Sequence, residues 1–171
     1  GKTAVVRSVE RKQKTAQPPR LYDLTTLQRD GNRLLGYTAQ QVLDYAQALY
    51  EKKLLTYPRT DSCFLTEDMA DTVQPLAALS ARCLPFPAET VNIARVIDGA
   101  KVSDHHALLP TMEVCAEALA ALPAGERNIL MLVMVRLLCA VGESQQAEDS
   151  TVTLDCGGAV FTAKGRVVTR P

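Results

Sequence analysis

The sequence predicts an α+β fold, mainly helical, with antiparallel strands at its two ends. Three observations carry this expectation. Apolar residues recur at helical spacing over 24–52 and again over 125–141. A Gly157-Gly158 pair sits between two β-prone runs near the end, as a tight hairpin requires. A further β-prone run containing Val5, Val6 and Val9 opens the chain.

The elements follow in order. Residues 2–12 read as a strand, stopped by Gln17-Pro18-Pro19, because proline supplies no backbone N–H. Asp23 is placed to cap a helix reaching Leu35, with Leu24, Leu27, Leu34 and Leu35 on its apolar face and Gly36 at its stop. Gly31 reads as a weak point inside it, costing about 1 kcal/mol relative to alanine. Thr38 and Gln41 have capping-box spacing for a second helix, whose face is Val42, Tyr45, Ala46, Leu49 and Tyr50. The two together read as a helix-turn-helix unit. Leu54 to Tyr57 is short and β-prone, and Pro58 stops it. Thr66 is expected to cap a third helix through Met69, Val73 and Leu76. Residues 83–88 read as a loop, Thr90 to Val96 as a short helix, Glu113 to Leu122 as an alanine-rich helix, and Gly125 to Val141 as a buried one. Thr151 to Cys156 and Ala159 to Thr162 form the hairpin, and Val167-Val168 suggests another strand. Both chain ends are expected in one small β unit, with the helices as a long excursion from it.

Composition excludes several function classes. A chain of 171 residues, 47% hydrophobic and 22% charged, has the make-up of a globular protein with one good core and a smaller appended unit. Its most apolar stretch, Ile129 to Val141, is interrupted by Arg136 and is too short to span a bilayer. No secretory leader is recognisable, so a cytoplasmic location is expected. The five cysteines are odd in number and lack CxxC pairs; they read as reduced and mostly core-filling. Neither zinc-site spacing nor a Walker A or dinucleotide glycine pattern occurs. Net charge is zero, yet residues 1–62 carry 11 lysines and arginines against 6 acids, and residues 63–171 carry 8 against 13. That asymmetry offers a basic surface to a phosphate backbone.

Three clusters could carry chemistry. In Tyr57-Pro58-Arg59-Thr60-Asp61-Ser62, a tyrosine, weak as a nucleophile at its free pKa of about 10, lies two residues from an arginine that clamps phosphoryl oxygens. Thr60, Asp61 and Ser62 are suited to hold backbone turns. A core tyrosine before an ordinary turn is the plainer reading of these residues alone. In Asp104-His105-His106-Ala107-Leu108-Leu109-Pro110-Thr111, adjacent histidines suit phosphate contact or proton transfer, with Asp104 as an orienting partner; half a metal site or a polar turn are the alternatives. The basic residues Arg11, Lys12, Lys14, Arg20, Arg29 and Arg33, extended by Lys52 and Lys53, suit phosphate contacts.

Leu54-Leu-Thr-Tyr-Pro-Arg-Thr-Asp-Ser62 resembles the active-site tyrosine motif of type IA DNA topoisomerases, with the flavour of bacterial topoisomerase III. Ser103-Asp-His-His-Ala-Leu-Leu-Pro-Thr111 resembles their second signature, and Pro18 to Gln28 the segment opening their tyrosine-bearing domain. The resemblance implies that Tyr57 attacks a backbone phosphate and becomes joined to the 5′ end of the broken strand. Arg59 would stabilise the transition state, and His105 would support it near the scissile phosphate. Arg20, Arg29, Arg33, Lys52, Lys53, Thr60, Asp61, Ser62 and His106 are the expected DNA-binding set. The implied domains are a CAP-like, winged-helix-type tyrosine domain over 17–145 and arch-domain strands over 1–16 and 146–171. Gly31 stands where the resembling helix leads one to expect alanine. No acidic cluster corresponds to the family's Toprim domain, so the chain is expected to be a central, monomeric fragment, inactive alone, without a metal of its own. In the intact enzyme Mg²⁺ is the implied cofactor, and single-stranded DNA and the remaining domains are the implied partners. The competing classes are a non-catalytic winged-helix DNA-binding module and an inert structural domain.

Overall fold

The computed structural model describes residues 3–84 and 92–170, and the chain divides into two compact units, 1–18 with 144–171 and 19–143. The first unit is a three-stranded antiparallel sheet of β1 (Val5–Ala16), β2 (Gln145–Cys156) and β3 (Ala159–Arg170), in spatial order β1-β2-β3. β1 runs four residues past the expected end because its backbone pairs with β2 as far as Ala16 opposite Gln145. β2 turns into β3 through Gly157 and Gly158, at φ +64° and +93°. Both values lie where a side chain is strained, so the pair fits the turn its sequence announces. Val167-Val168 is not a separate strand. It continues β3, since the β2 pairing runs unbroken in direction from Cys156–Ala159 to Gln146–Arg170, past one irregularity.

Cross-strand ion pairs Arg7–Asp155 and Arg166–Asp149 decorate this sheet. Being exposed, each contributes less than about 1 kcal/mol. Cross-strand neighbours Val6, Leu154 and Phe161, then Val9, Val152 and Ala163, form apolar rows, and Val6, Val9 and Phe161 are exposed.

Among the described residues the second unit holds five α-helices: α1 (Leu24–Leu35), α2 (Ala39–Glu51), α3 (Ala70–Cys83), α4 (Ala116–Ala121) and α5 (Ala124–Val141). Asp23 and Thr38 cap α1 and α2 through full capping boxes, and Gly36 ends α1 at φ +72°. α5 is apolar nearly all round, which suits a central helix. It buries Ile129, Leu130, Val133, Met134, Leu137 and Leu138 and packs on α1, α2 and α3. The core is completed by Leu27, Val42, Ala46, Leu49, Val73 and Leu76.

Gly31 proves to be more than a weak point. It is buried, and a Cβ built there would lie 2.6 Å from Val42 Cγ2. The missing side chain is what lets α1 approach α2 this closely.

Other elements differ from expectation. After Thr66 comes a 3₁₀ turn, Glu67–Met69, with no side-chain cap, before α3 begins. α4 starts at Ala116 rather than Glu113, because Thr111 is tied to Leu54 and Lys53 and holds the preceding residues in a turn. The short helix is reduced to a 3₁₀ turn, Ile93–Arg95; its expected start at Thr90, and the expected loop beyond Leu84, lie outside the described residues. All five cysteines are free, but they are not mainly core-filling: Cys63, Cys83 and Cys139 are half-buried, Cys115 and Cys156 exposed. Among the described residues no helix is long and apolar enough to cross a membrane.

Candidate active site

The tyrosine segment leaves α2 through a sharp reversal. Lys53 adopts φ +60°, a left-handed conformation that costs a non-glycine residue about 1–2 kcal/mol. Its N–H bonds Tyr50 O at 2.9 Å, and Leu54 N bonds Leu49 O at 2.9 Å. The chain then runs extended, but Leu54 to Tyr57 makes only an isolated antiparallel bridge, Leu55 with Pro110. Proline at 58 and at 110 has no N–H to extend a ladder, which is why the expected strand does not grow.

The histidine segment is laced to this one by backbone and threonine bonds. Thr56 N donates to Leu109 O at 3.0 Å, and Leu109 N donates to Thr56 Oγ1 at 3.0 Å. Thr60 Oγ1 donates to His105 O at 2.9 Å. Ala107 N donates to Phe64 O at 2.9 Å and Leu108 N to Tyr22 O at 2.8 Å. Ser103 Oγ donates to Asp61 Oδ1 at 3.2 Å.

The result brings together residues 48 positions apart. The rings of Tyr57 and His105 stack with centroids 4.5 Å apart, tilted by 48°. Tyr57 is half-buried and His105 exposed, so the pair is open to a ligand. Arg59 is exposed and has no hydrogen-bond or ion-pair partner among the described residues. Its guanidinium is therefore not occupied by the protein itself. Tyr50 meets Tyr57 edge-on at 5.4 Å and is 41% exposed. Its periodicity suggested the core face of α2. Its place in the last turn, where the chain reverses, brings it to Tyr57 instead, and only that proximity in sequence hinted at it.

The remaining expected site residues are dispersed in role. Thr60 and Ser62 are buried; Ser62 Oγ donates to Phe64 O at 3.2 Å and Lys101 O at 3.1 Å, so both hydroxyls face the protein. Asp61 is exposed. His106 Nδ1 lies 2.7 Å from Ala107 O. Lys52 is paired with Glu126 and Arg33 with Asp30 at 2.9 Å. Arg20 lies over the Phe64 ring at 5.2 Å. Arg29 is exposed, as is Lys53.

Tyr22 provides an internal contrast with Tyr57. It is buried, its hydroxyl donates to Asp30 Oδ2 at 2.7 Å, and the Arg136 guanidinium lies 4.0 Å from its ring centroid while pairing with Asp30. Burial, helped by the Asp30 carboxylate, pushes its phenol up to about 12. Such a group is neither accessible nor ionisable near neutrality. Burial would raise Asp30, but the Tyr22 hydroxyl and the Arg33 and Arg136 guanidinia outweigh it and hold the carboxyl below its ordinary range. Among the described residues no group of three or more His, Cys, Asp or Glu side chains could hold a metal. Among these residues the implied Mg²⁺ finds no such donor set.

Known proteins resemble this chain over nearly its whole length. The family model described as DNA topoisomerase matches residues 1–171. The DNA topoisomerase 3 of Bacillus licheniformis is 40% identical over 178 residues, covering 98% of this chain and 24% of that protein. Its Bacillus subtilis counterpart is 38% identical, with the same coverage. The chain thus spans about a quarter of the length of these relatives. In the solved structure of full-length topoisomerase I from Thermotoga maritima, a matching region covers 98% of this chain and 28% of that one. The TM-score is 0.71 at 24% identity, so the two share a fold of helices with a three-stranded antiparallel sheet. On the full-length match of the family model and the identity to these relatives, the chain belongs to the type IA DNA topoisomerase family.

Proposed function

We propose that this chain supplies the nucleophile half of a topoisomerase site, acting on single-stranded DNA within a longer polypeptide. The observation that carries the reading is the ring contact between Tyr57 and His105 on an accessible loop that also bears Arg59. The phenolic oxygen of Tyr57 attacks a backbone phosphorus. The phenol gives up its proton, the bond from phosphorus to the 3′ oxygen breaks as that oxygen takes one up, and the 5′ phosphate stays on Tyr57. Arg59 stabilises the charge that gathers on the phosphoryl oxygens, where a fixed donor has its largest effect. His105 supports the phosphate from beside the tyrosine ring. Religation is the reverse attack by the 3′ hydroxyl. No step is assigned to a metal here, because the described residues do not form a site for one.

Within the same reading, 17–145 is the tyrosine domain, and α1 and α2, joined through Gly36 and Tyr37, are its CAP-like helix-turn-helix part. Residues 1–16 and 146–171 are arch-domain strands. Arg29 and Lys53 are the basic members of the expected DNA-binding set that are exposed and have no side-chain partner among the described residues, which suits contact with a strand. Thr60 and Ser62 face inward and serve the loop instead.

The test is plasmid relaxation with Mg²⁺ by three samples: this chain, the full-length protein carrying it, and that protein with Tyr57→Phe. Relaxation is expected only from the unsubstituted full-length protein. Robust turnover by the 171-residue chain would refute the division of labour, and turnover by the phenylalanine variant would refute the nucleophile.

A further inference from the structure

We propose that Thr60 is a positioning residue whose hydroxyl holds His105 against Tyr57. The proposal rests on the reading of Tyr57 as nucleophile and adds a part to that same site. Thr60 lies between exposed Arg59 and exposed Asp61, yet only 5% of it is accessible. Its hydroxyl donates to His105 O at 2.9 Å and accepts from Ser62 N at 3.1 Å. Its own carbonyl accepts from Leu24 N at 3.0 Å, the first residue of α1. Thr60 therefore ties three things together: the start of a capped helix, its own loop, and the backbone of the histidine.

The position of the bond matters more than its strength. Tyr57 sits between Thr56 and Thr60, and both hydroxyls reach across to the histidine segment, at Leu109 and at His105. His105 lies outside any helix or strand, and among the described residues the Thr60 hydroxyl is the donor to its carbonyl. The next fixed backbone point downstream is Ala107 N on Phe64 O. Without the hydroxyl, two peptide units turn more freely, and the imidazole swings relative to the tyrosine ring. The neighbouring His106 has its own anchor at Ala107 O and should not follow. A residue outside the reacting atoms thereby sets the spacing of two that the proposed chemistry uses.

The experiment follows the His105 ring signals by NMR in the 171-residue chain. The contribution of the Tyr57 ring is defined as the shift change on Tyr57→Leu. Thr60→Val keeps the shape and removes the hydroxyl; it is expected to lose most of that contribution while His106 and the far-ultraviolet helical signal hold. Thr60→Ser is expected to restore it. Should the valine chain lose its helical signal, Thr60→Ala, which adds no volume, carries the same comparison. In the full-length protein the rate of covalent adduct formation is expected to fall about fivefold in Thr60→Val, the scale of one net hydrogen bond, and to recover in Thr60→Ser. A hydroxyl-free variant that keeps the ring contribution, or a serine that fails to restore it, would overturn the proposal. Absence of any adduct on Tyr57 in the unsubstituted protein would instead overturn the nucleophile reading, which the NMR comparison does not touch.

Discussion

Substituting Gly31 by alanine decides between two accounts of one residue. If only helix propensity mattered, alanine would stabilise α1 by about 1 kcal/mol. The structure opposes this. The new Cβ would stand 2.6 Å from Val42 Cγ2 and 3.7 Å from Ile129 Cδ1. The first distance is about 0.9–1.4 Å inside the optimal carbon–carbon separation of about 3.5–4.0 Å. Val42 is fully buried on α2, and a β-branched side chain has few rotamers to retreat into. Overpacking of this kind costs about 1–3 kcal/mol, so the net expectation is a loss of about 0–2 kcal/mol. The assay is urea unfolding followed by circular dichroism, because the helices all lie in residues 19–143 and the chain has no tryptophan. A cycle with Val42→Ala sharpens it: removing the valine methyls should make Gly31→Ala stabilising in that background. A single Gly31→Ala chain stabilised by the full propensity gain would refute the close-packing argument.

Other expectations follow from the same structure. Arg136→Met should destabilise the helical unit by about 2–3 kcal/mol. This is less than a fully buried pair would lose, since Tyr22 and Arg33 still hold Asp30. Because the Asp30 carboxyl is lowered in the folded chain from its ordinary 3.8, its contribution is complete above that value and is lost as pH falls through the lower folded one. In Arg136→Met the acid-unfolding limb should move to higher pH, and superimposable limbs would contradict the assignment. Single-stranded DNA should bind the chain weakly, with affinity falling as salt rises; anisotropy titrations should give Arg59→Ala a slope shallower by about 0.7. Binding indifferent to salt would exclude phosphate contact.

Much of the helical framework was legible because local chemistry specifies it. Asp23, Thr38 and Gly36 are boundary residues whose side chain or backbone freedom acts within a few positions, and each sits where its type requires. Gly157-Gly158 works the same way. Misreadings arose where distant residues decide the outcome. The Leu54–Tyr57 strand is cut to one bridge by a proline 55 positions after Leu55, and α4 is shortened by bonds from Thr111 back to Lys53 and Leu54. Gly31 reads as a helix defect along its own chain and as a packing requirement once Val42 stands opposite. The site divides likewise. Tyr57, Arg59 and His105 stood out by residue type and motif. Tyr50 was hidden by a helical periodicity that did not reveal where the helix ends, and the inward turn of Thr60 and Ser62 depends on carbonyls of a segment some 40 residues away.

The most direct test of the central claim is to map the covalent adduct. The full-length protein carrying this chain is incubated with single-stranded oligonucleotide labelled at its 3′ end, denatured, digested and sequenced by mass spectrometry. The account predicts a labelled peptide spanning Leu54 to Ser62, with the 5′ phosphate on the Tyr57 oxygen, and no adduct in Tyr57→Phe despite retained DNA binding. An adduct on another residue, or one that persists in the phenylalanine variant, would contradict it.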